Sequence, residues 1–274
     1  MQTRGRVLII AGSDSGGGAG IQADIKSVTA LGGFAMTAIT ALTAQNTQGV
    51  HGVHPVPTAF LRQQIDVVLD DLGADAIKTG MLHDVPTIEC VADVLDERAM
   101  GLPLVVDPVM VAQSGARLLE SGAVSCLLER LLPHAALITP NLPEAEVLLG
   151  EGIPDADAMP EAAEALRSRS GAGAVLLKGG HLEADELTDV LATASGCSVF
   201  RHKRIATRHT HGTGCTLASA IATGLARGEG MADAVARGRA YLLEAIRTAP
   251  GLGHGGGPVN HAHPIPEQQG SQGT

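Results

Sequence analysis

The residues with the most chemical potential are Thr210-His211-Gly212-Thr213-Gly214-Cys215-Thr216. They run into Leu217-Ala218-Ser219-Ala220-Ile221-Ala222-Thr223-Gly224-Leu225, where Leu217, Ile221 and Leu225 recur at i, i+4 and i+8. That spacing predicts an amphipathic helix with the glycines at its first turn. A helix N-terminus offers unpaired N–H groups and the positive end of the macrodipole. Glycines there let an anion reach the backbone, which makes a phosphate or oxyanion site. Cys215 lies in the same field, which predicts a lowered thiol pKa. The same stretch also reads as a Gly-rich turn beside an inert buried cysteine, and Gly-Thr-Gly alone does not separate the two.

Further candidates stand where apolar runs end. Val7-Leu8-Ile9-Ile10-Ala11 leads into Gly12-Ser13-Asp14-Ser15-Gly16-Gly17-Gly18-Ala19-Gly20. The glycines follow neither G-x-x-x-x-G-K-[ST] nor G-x-G-x-x-G, so the loop holds something close to its backbone without being a Walker or Rossmann loop. Asp24, in the helix that follows (Ile21, Ile25 and Val28 on one face), reads as a ligand-facing or a solvated carboxylate. Thr43-Ala44-Gln45-Asn46-Thr47-Gln48-Gly49 places three carboxamides in a predicted loop after a strand over 35–42, as ligand contacts or as turn residues. Leu104-Val105-Val106 ends at Asp107, and a carboxylate at a parallel strand's end faces the ligand crevice. Ala136-Leu137-Ile138-Thr139 ends at Pro140-Asn141-Leu142-Pro143-Glu144, where Glu144 is either a first-turn helix carboxylate or a site residue. Ala174-Val175-Leu176-Leu177 ends at Lys178-Gly179-Gly180, a point charge suited to phosphate.

The elements that position these residues alternate. Short apolar strands alternate with helices predicted at 61–72, 85–95, 124–132, 142–149, 162–169, 214–227 and 231–247. Segments 187–193 and 199–205, split by Ser195-Gly196, form an antiparallel hairpin. This pattern predicts an α/β fold with an open, mostly parallel sheet and helices on both faces. All the polar candidates except Asp24 then sit at strand carboxyl ends or helix N-termini, around one site. No linker divides the chain, so 1–263 is expected to be a single domain, with 264–274 a disordered Pro-, Gly- and Gln-rich tail.

Composition limits the function classes. With 45% hydrophobic residues and no Trp among 274 residues, the core is large and aliphatic. A net charge of -10 argues against nucleic-acid partners. Cys90, Cys126, Cys197 and Cys215 show no paired spacing, so neither a disulfide framework nor a zinc site is indicated. Mg²⁺ held by Asp107, Glu144 and phosphates fits better. No signal-peptide pattern precedes the first strand and no run reaches membrane-spanning length, so a cytoplasmic protein without a membrane partner is expected.

Taken together, these segments resemble a known family. Ala11-Gly12-Ser13-Asp14, Gly17 to Asp24, Ile39 to Thr47, Lys78-Thr79-Gly80-Met81, Asp107-Pro108-Val109-Met110, Thr139 to Ala145, Leu177 to His181, Thr210 to Thr216 and Gly253-His254-Gly255-Gly256-Gly257-Pro258-Val259 are similar, in order, to the hydroxymethylpyrimidine/phosphomethylpyrimidine kinases of thiamine synthesis. The resemblance implies a ribokinase-like three-layer α/β/α sandwich, ATP with Mg²⁺, a cytoplasmic homodimer, and two successive phosphorylations of one pyrimidine. It implies that Gln45 reads the pyrimidine, with Gly12, Asp24, Met81 and Val109 around it. It implies that Cys215 is the catalytic residue, with Gly212, Thr213 and Gly214 as the anion hole. Lys178, Asn141 and Thr213 would contact ATP, and Asp107 with Glu144 would organise the metal.

One departure stands out. The family commonly reads Asp-Pro-Ser-Gly-Gly-Ala-Gly, whereas here Ser15 and Gly16 follow Asp14. Exchanging a proline for freer residues predicts a looser loop and a raised substrate KM. Two other readings stay open: a pyridoxal or pyridoxine kinase, and a non-catalytic pyrimidine-binding regulator.

Overall fold

A computed structural model describes residues 5–112, 115–120, 122–182 and 184–266. In chain order the elements are β1 (Arg6–Asp14), α1 (Gly20–Ala30), β2 (Phe34–Asn46), β3 (Gly49–Pro55), α2 (Thr58–Asp71), β4 (Ala76–Thr79), α3 (Val85–Arg98), β5 (Leu104–Val106), α4 (Ala123–Cys126), β6 (Leu137–Ile138), α5 (Leu142–Leu149), α6 (Met159–Ser170), β7 (Ala174–Lys178), β8 (Glu186–Thr193), β9 (Gly196–Lys203), α7 (Thr213–Ala226) and α8 (Met231–Arg247). Among the described residues the strands form a nine-stranded sheet in the order β3-β2-β1-β4-β5-β6-β7-β8-β9. β2, β1, β4, β5, β6 and β7 pair in parallel in that order, and β3, β8 and β9 add antiparallel strands at the two edges. This is the expected mostly parallel α/β/α sandwich.

Alternation along the strands shows why both faces are covered. Leu8 and Ile10 of β1 enter one core with residues of α2, α3, α5 and α6, while Val7, Ile9 and Ala11 enter a second core with residues of α1, α7 and α8. β5 and β7 divide in the same way: Leu104, Val106, Val175 and Leu177 face the first core, Val105, Ala174 and Leu176 the second. A strand with both faces buried must be apolar at consecutive positions, and these are. The chain leaves β1 for β2 on one side and later returns to β4 on the other. That topological switch point sets the ligand crevice beyond the carboxyl ends of β1 and β4.

Several expectations need correction. The carboxamide segment is not a loop: β2 continues through Gln45 and Asn46, which pair with Val50 and Gly49 of β3, so a β-hairpin projects from the sheet. Ile25 of α1 is 38% exposed and does not share the buried face of Ile21 and Val28. α7 is not amphipathic, because every residue from Thr216 to Gly224 is buried. The helix expected at 124–132 is a short α-helix that continues as a π-turn over Leu127–Leu131. Of the expected tail, residues 267–274 lie outside the described residues, and Pro264 ends a turn that begins at His261. Among the described residues no helix is long and apolar enough to cross a membrane.

Candidate active site

A cavity of about 770 Å³ opens over the carboxyl ends of the strands. Gly12, Gln45, Met81, Asp107, Val109, Asn141, Glu144, Lys178 and the Gly212–Cys215 run all line it. Asp24 alone among the sequence-predicted residues does not.

The floor is the start of α7. Its N-cap, Gly212, has φ +82, and a Cβ there would sit 1.8 Å from the Gly18 carbonyl oxygen, so only glycine closes this turn. No side chain caps the helix. Its first i→i−4 bond is donated by Thr216 N–H to Gly212 O, so the Gly214 and Cys215 amides precede the ladder, in the position of anion donors. A Cβ on Gly214 would come within 3.1 Å of Asp107 Oδ2 and 3.5 Å of Lys178 Nζ. The helix backbone therefore closes directly on a cation and a carboxylate, a cradle for charged oxygens.

Lys178 at the end of β7 lies 3.4 Å from Asp107 Oδ1, which also accepts from Thr139 Oγ1 at 3.2 Å. Burial pulls the Lys178 ammonium down, but Asp107 and Glu144 outweigh it and the net direction is up. Asn141 and Glu144 form a reciprocal capping box on α5: Glu144 N–H donates to Asn141 Oδ1, and Asn141 N–H donates to Glu144 Oε2, each at 2.9 Å. This leaves the Asn141 NH₂ as the group turned to other work. Burial lifts the Glu144 carboxyl to about 7, with Asp107 adding to it and Lys178 opposing. A carboxyl with a raised folded pKa costs stability as pH rises: between its ordinary value of 4.5 and about 7 the native state holds a proton that the unfolded state has lost. The protein should therefore lose about 3 kcal/mol through this group across that window. Glu144→Gln should flatten the slope, checked by urea denaturation at pH 5 and pH 8; equal slopes would remove Glu144 as the cause.

Cys215 corrects an expectation. Desolvation pushes its thiol up to about 12, against the pull of Lys78, and Asp24 and Asp107 add to the rise. The helix field predicted the opposite direction; burial among carboxylates wins. Asp24 is neither ligand-facing nor solvated. It is fully buried, with both carboxylate oxygens 2.9 Å from Lys78 Nζ and Ser219 Oγ donating to it at 2.7 Å. Burial pulls Lys78 down, but Asp24, Cys215 and Asp107 hold it cationic. Lys78→Met should cost about 3–5 kcal/mol at pH 8, because it leaves a buried carboxylate unpaired. The cost should shrink at pH 5 as Asp24 takes up a proton. A pH-independent loss under 1 kcal/mol would contradict this role for the pair.

At the other end of the cavity, Met81 packs against Gly12, where a Cβ would meet Met81 Cε at 2.7 Å, and Thr40 Oγ1 pins the Met81 carbonyl at 2.7 Å. Sequence reasoning missed two residues here. Asp14 is buried, accepts backbone N–H groups from Gly16, Gly18 and Ala19, and lies 2.9 Å from His211 Nε2. An aspartate followed by glycines whose amides can fold back on it was the available signal. His211 was visible only as a motif letter. The loop also departs from the predicted looseness: Ser15 Oγ donates to Gln45 O and accepts Gln45 N–H, both at 2.8 Å, tying the loop to β2.

Beyond Lys178 the cavity continues past Asp189, which accepts from Arg239 Nε at 2.9 Å, to an apolar end of Leu187, Ile205, Leu242 and Ile246. No pattern in the sequence marked this end. Among the described residues no three His, Cys, Asp or Glu side chains gather as a metal cage.

A family model described as phosphomethylpyrimidine kinase matches residues 14–260. A hydroxymethylpyrimidine/phosphomethylpyrimidine kinase of Bacillus subtilis is 49% identical over 257 residues, covering 93% of this chain and 94% of that one. A thiamine biosynthesis bifunctional protein of Geobacter sulfurreducens is 55% identical over 94% of this chain, which spans about half, 52%, of that protein's length. Among solved structures, an ADP complex of Bacillus subtilis pyridoxal kinase superposes with TM-score 0.87 at 37% identity, covering 94% of this chain and 97% of that one. A phosphomethylpyrimidine kinase of Clostridium difficile gives 0.78 at 40% identity, covering 88% and 99%.

Proposed function

The chain belongs to the phosphomethylpyrimidine kinase family, and on that premise we propose that it transfers phosphoryl groups from ATP to a hydroxymethyl aminopyrimidine and then to the resulting monophosphate, for thiamine biosynthesis. The observation that carries this reading is the convergence of the unblocked α7 N-terminus, Lys178 and Asp107 in one cavity that Gln45, Met81 and Val109 also line. The first set suits phosphates, the second a flat polar ring. A carboxamide offers both an acceptor and a donor, matching an exocyclic amine beside a ring nitrogen.

In the proposed reaction the pyrimidine's hydroxymethyl oxygen attacks the γ-phosphoryl group of ATP over the Gly212–Cys215 turn. Phosphoryl transfer rests mainly on positioning and charge stabilisation. The Gly214 and Cys215 amides, Thr213, Lys178 and the Asn141 NH₂ supply both to the phosphates, and the apolar end beyond Asp189 takes the nucleotide base. Cys215 receives the hydroxyl proton. With its thiol raised to about 12, the small thiolate fraction is a strong base, and Lys78 beneath it favours that form. The second transfer, onto a phosphate oxygen, needs no base.

The donor set fits Mg²⁺: Asp107 and Glu144 are hard oxygen donors too few for an all-protein cage, so phosphates would have to supply further ligands. Bound there, the ion would neutralise charge on the transferring group, and Asp107 and Glu144 would hold it. A single kinase domain over 1–263, a homodimer and a cytoplasmic location belong to the same proposal.

Pyridoxal kinase is the second reading, favoured by the TM-score of 0.87. The higher identity to pyrimidine kinases and the presence of Gln45 weigh against it. Phosphorus NMR of a reaction with excess ATP tests the proposal: the expected result is two ADP formed per pyrimidine, with a monophosphate that rises and falls. One ADP per pyrimidine would remove the second step, and none would leave a non-catalytic binder.

A further inference from the structure

Gln45 lies between the Thr43 hydroxyl, whose one hydrogen is already committed, and the His211 ring, whose Nε2 sits between Gln45 and Asp14. Thr43 Oγ1 is 2.7 Å from the Ser13 carbonyl oxygen and 3.2 Å from Gln45 Oε1. His211 Nε2 is 2.9 Å from Asp14 Oδ2 and 3.4 Å from Gln45 Nε2. A hydroxyl has one hydrogen, and a carbonyl can only accept. Thr43 therefore gives its hydrogen to Ser13 and offers Gln45 only a lone pair. Asp14 accepts three backbone N–H groups. Burial pushes its carboxyl up, but the hydrogen bond with His211 and those backbone donors outweigh it and hold the group ionised. A carboxylate has no hydrogen to give, so His211 Nε2 carries the proton between them.

Both neighbours thus ask the same thing of Gln45: nitrogen toward Thr43, oxygen toward His211. A half-turn of the carboxamide about its last torsion exchanges oxygen and nitrogen at unchanged positions. Thr43 then accepts an N–H, and the single His211 Nε2 hydrogen is shared between Asp14 Oδ2 at 2.9 Å and the Gln45 oxygen at 3.4 Å. The main chain is held in register by Ser15 Oγ, which accepts the Gln45 N–H and donates to its carbonyl, both at 2.8 Å.

We infer that Asp14, His211 and Thr43 are positioning residues that lock the Gln45 carboxamide with its oxygen at His211 and its nitrogen at Thr43, and that this lock selects an aminopyrimidine over other hydroxymethyl heteroaromatic rings. The inference rests on the assignment of Gln45 to ring reading. With the lock in place the cavity offers an acceptor and a donor in one order, and a ring whose amine and ring nitrogen match that order pays no reorientation cost. Without His211 the amide turns freely and the order is lost.

The test is steady-state kinetics of His211→Leu and His211→Gln, with both the pyrimidine and ATP varied and pyridoxine as the competing ring. Glutamine places an N–H donor near the position of Nε2; leucine places none. His211→Leu should raise the pyrimidine KM about tenfold and lower the pyrimidine-to-pyridoxine ratio of kcat/KM by a similar factor, with the ATP KM unchanged. His211→Gln should recover to within about threefold of the unaltered enzyme. Equal damage in both variants, or a parallel rise in the ATP KM, would overturn the lock. Should His211→Leu not fold, Thr43→Val against Thr43→Ser asks the same question from the other end of the amide: valine should raise the pyrimidine KM and serine should not, and equal behaviour would overturn the lock. No pyrimidine turnover in the unaltered enzyme would overturn the kinase reading, and this one with it.

Discussion

Cys215→Ala is expected to lower kcat for the first phosphorylation by about 10²–10⁴-fold, the range for a lost general base. The second phosphorylation should fall by no more than a few-fold. The asymmetry follows from the acceptors: a hydroxymethyl group must lose a proton, whereas a phosphate monoester presents an oxygen that is already anionic. It also follows from the site, because the Cys215 thiol lies at the first turn of α7 and its removal leaves the backbone amides in place. Because desolvation lifts the thiol to about 12, the first step in the unaltered protein should keep accelerating as pH rises through the alkaline range, while the second stays flat there. Rapid-quench measurements on each acceptor separately would check both points. Equal losses in the two steps would remove Cys215 as the proton acceptor and make it a packing residue of the cradle.

Lys178→Met should behave differently, lowering kcat for both steps by about 10²–10³-fold, the cost of removing one preorganised charge donor. Lys178 Nζ stands 3.4 Å from Asp107 and beside the Gly214 backbone, where either transfer must pass. Methionine keeps the length of the stem and removes the charge. It also leaves Asp107 and Glu144 without their cation, so the Glu144 carboxyl should rise above about 7. An intact kcat with only a raised ATP KM would show that Lys178 binds ATP without assisting transfer.

The fold was legible because its central strands are buried on both faces and read as unbroken apolar runs, each closed by a glycine, a proline or a charged residue. The same logic brought nearly the whole predicted site to one cavity, since strand ends in a parallel sheet share one edge. What stayed hidden has physical causes. The β2–β3 hairpin is partly solvated and rich in Gln, Asn and Thr, so its polar tip looks like a loop. α7 carries Thr216, Ser219 and Thr223 on faces that a period of 3.6 assigns to solvent, yet they are buried and bonded to neighbouring groups. Asp24 and Lys78 stand far apart in the chain, and nothing in local spacing announces that they pair. The direction of the Cys215 shift depends on which carboxylates lie around it, and that is a property of the folded site alone.

The central claim, a pyrimidine kinase built on this cavity, is tested most directly by kcat/KM with MgATP for hydroxymethylpyrimidine, its monophosphate and pyridoxine under one set of conditions. Efficient turnover of both pyrimidines is expected, with pyridoxine poorer by about a hundredfold or more, the discrimination that polar groups in a built pocket can supply. A preference for pyridoxine would contradict the claim, keeping the fold and the phosphate cradle but reassigning the ring that Gln45 reads.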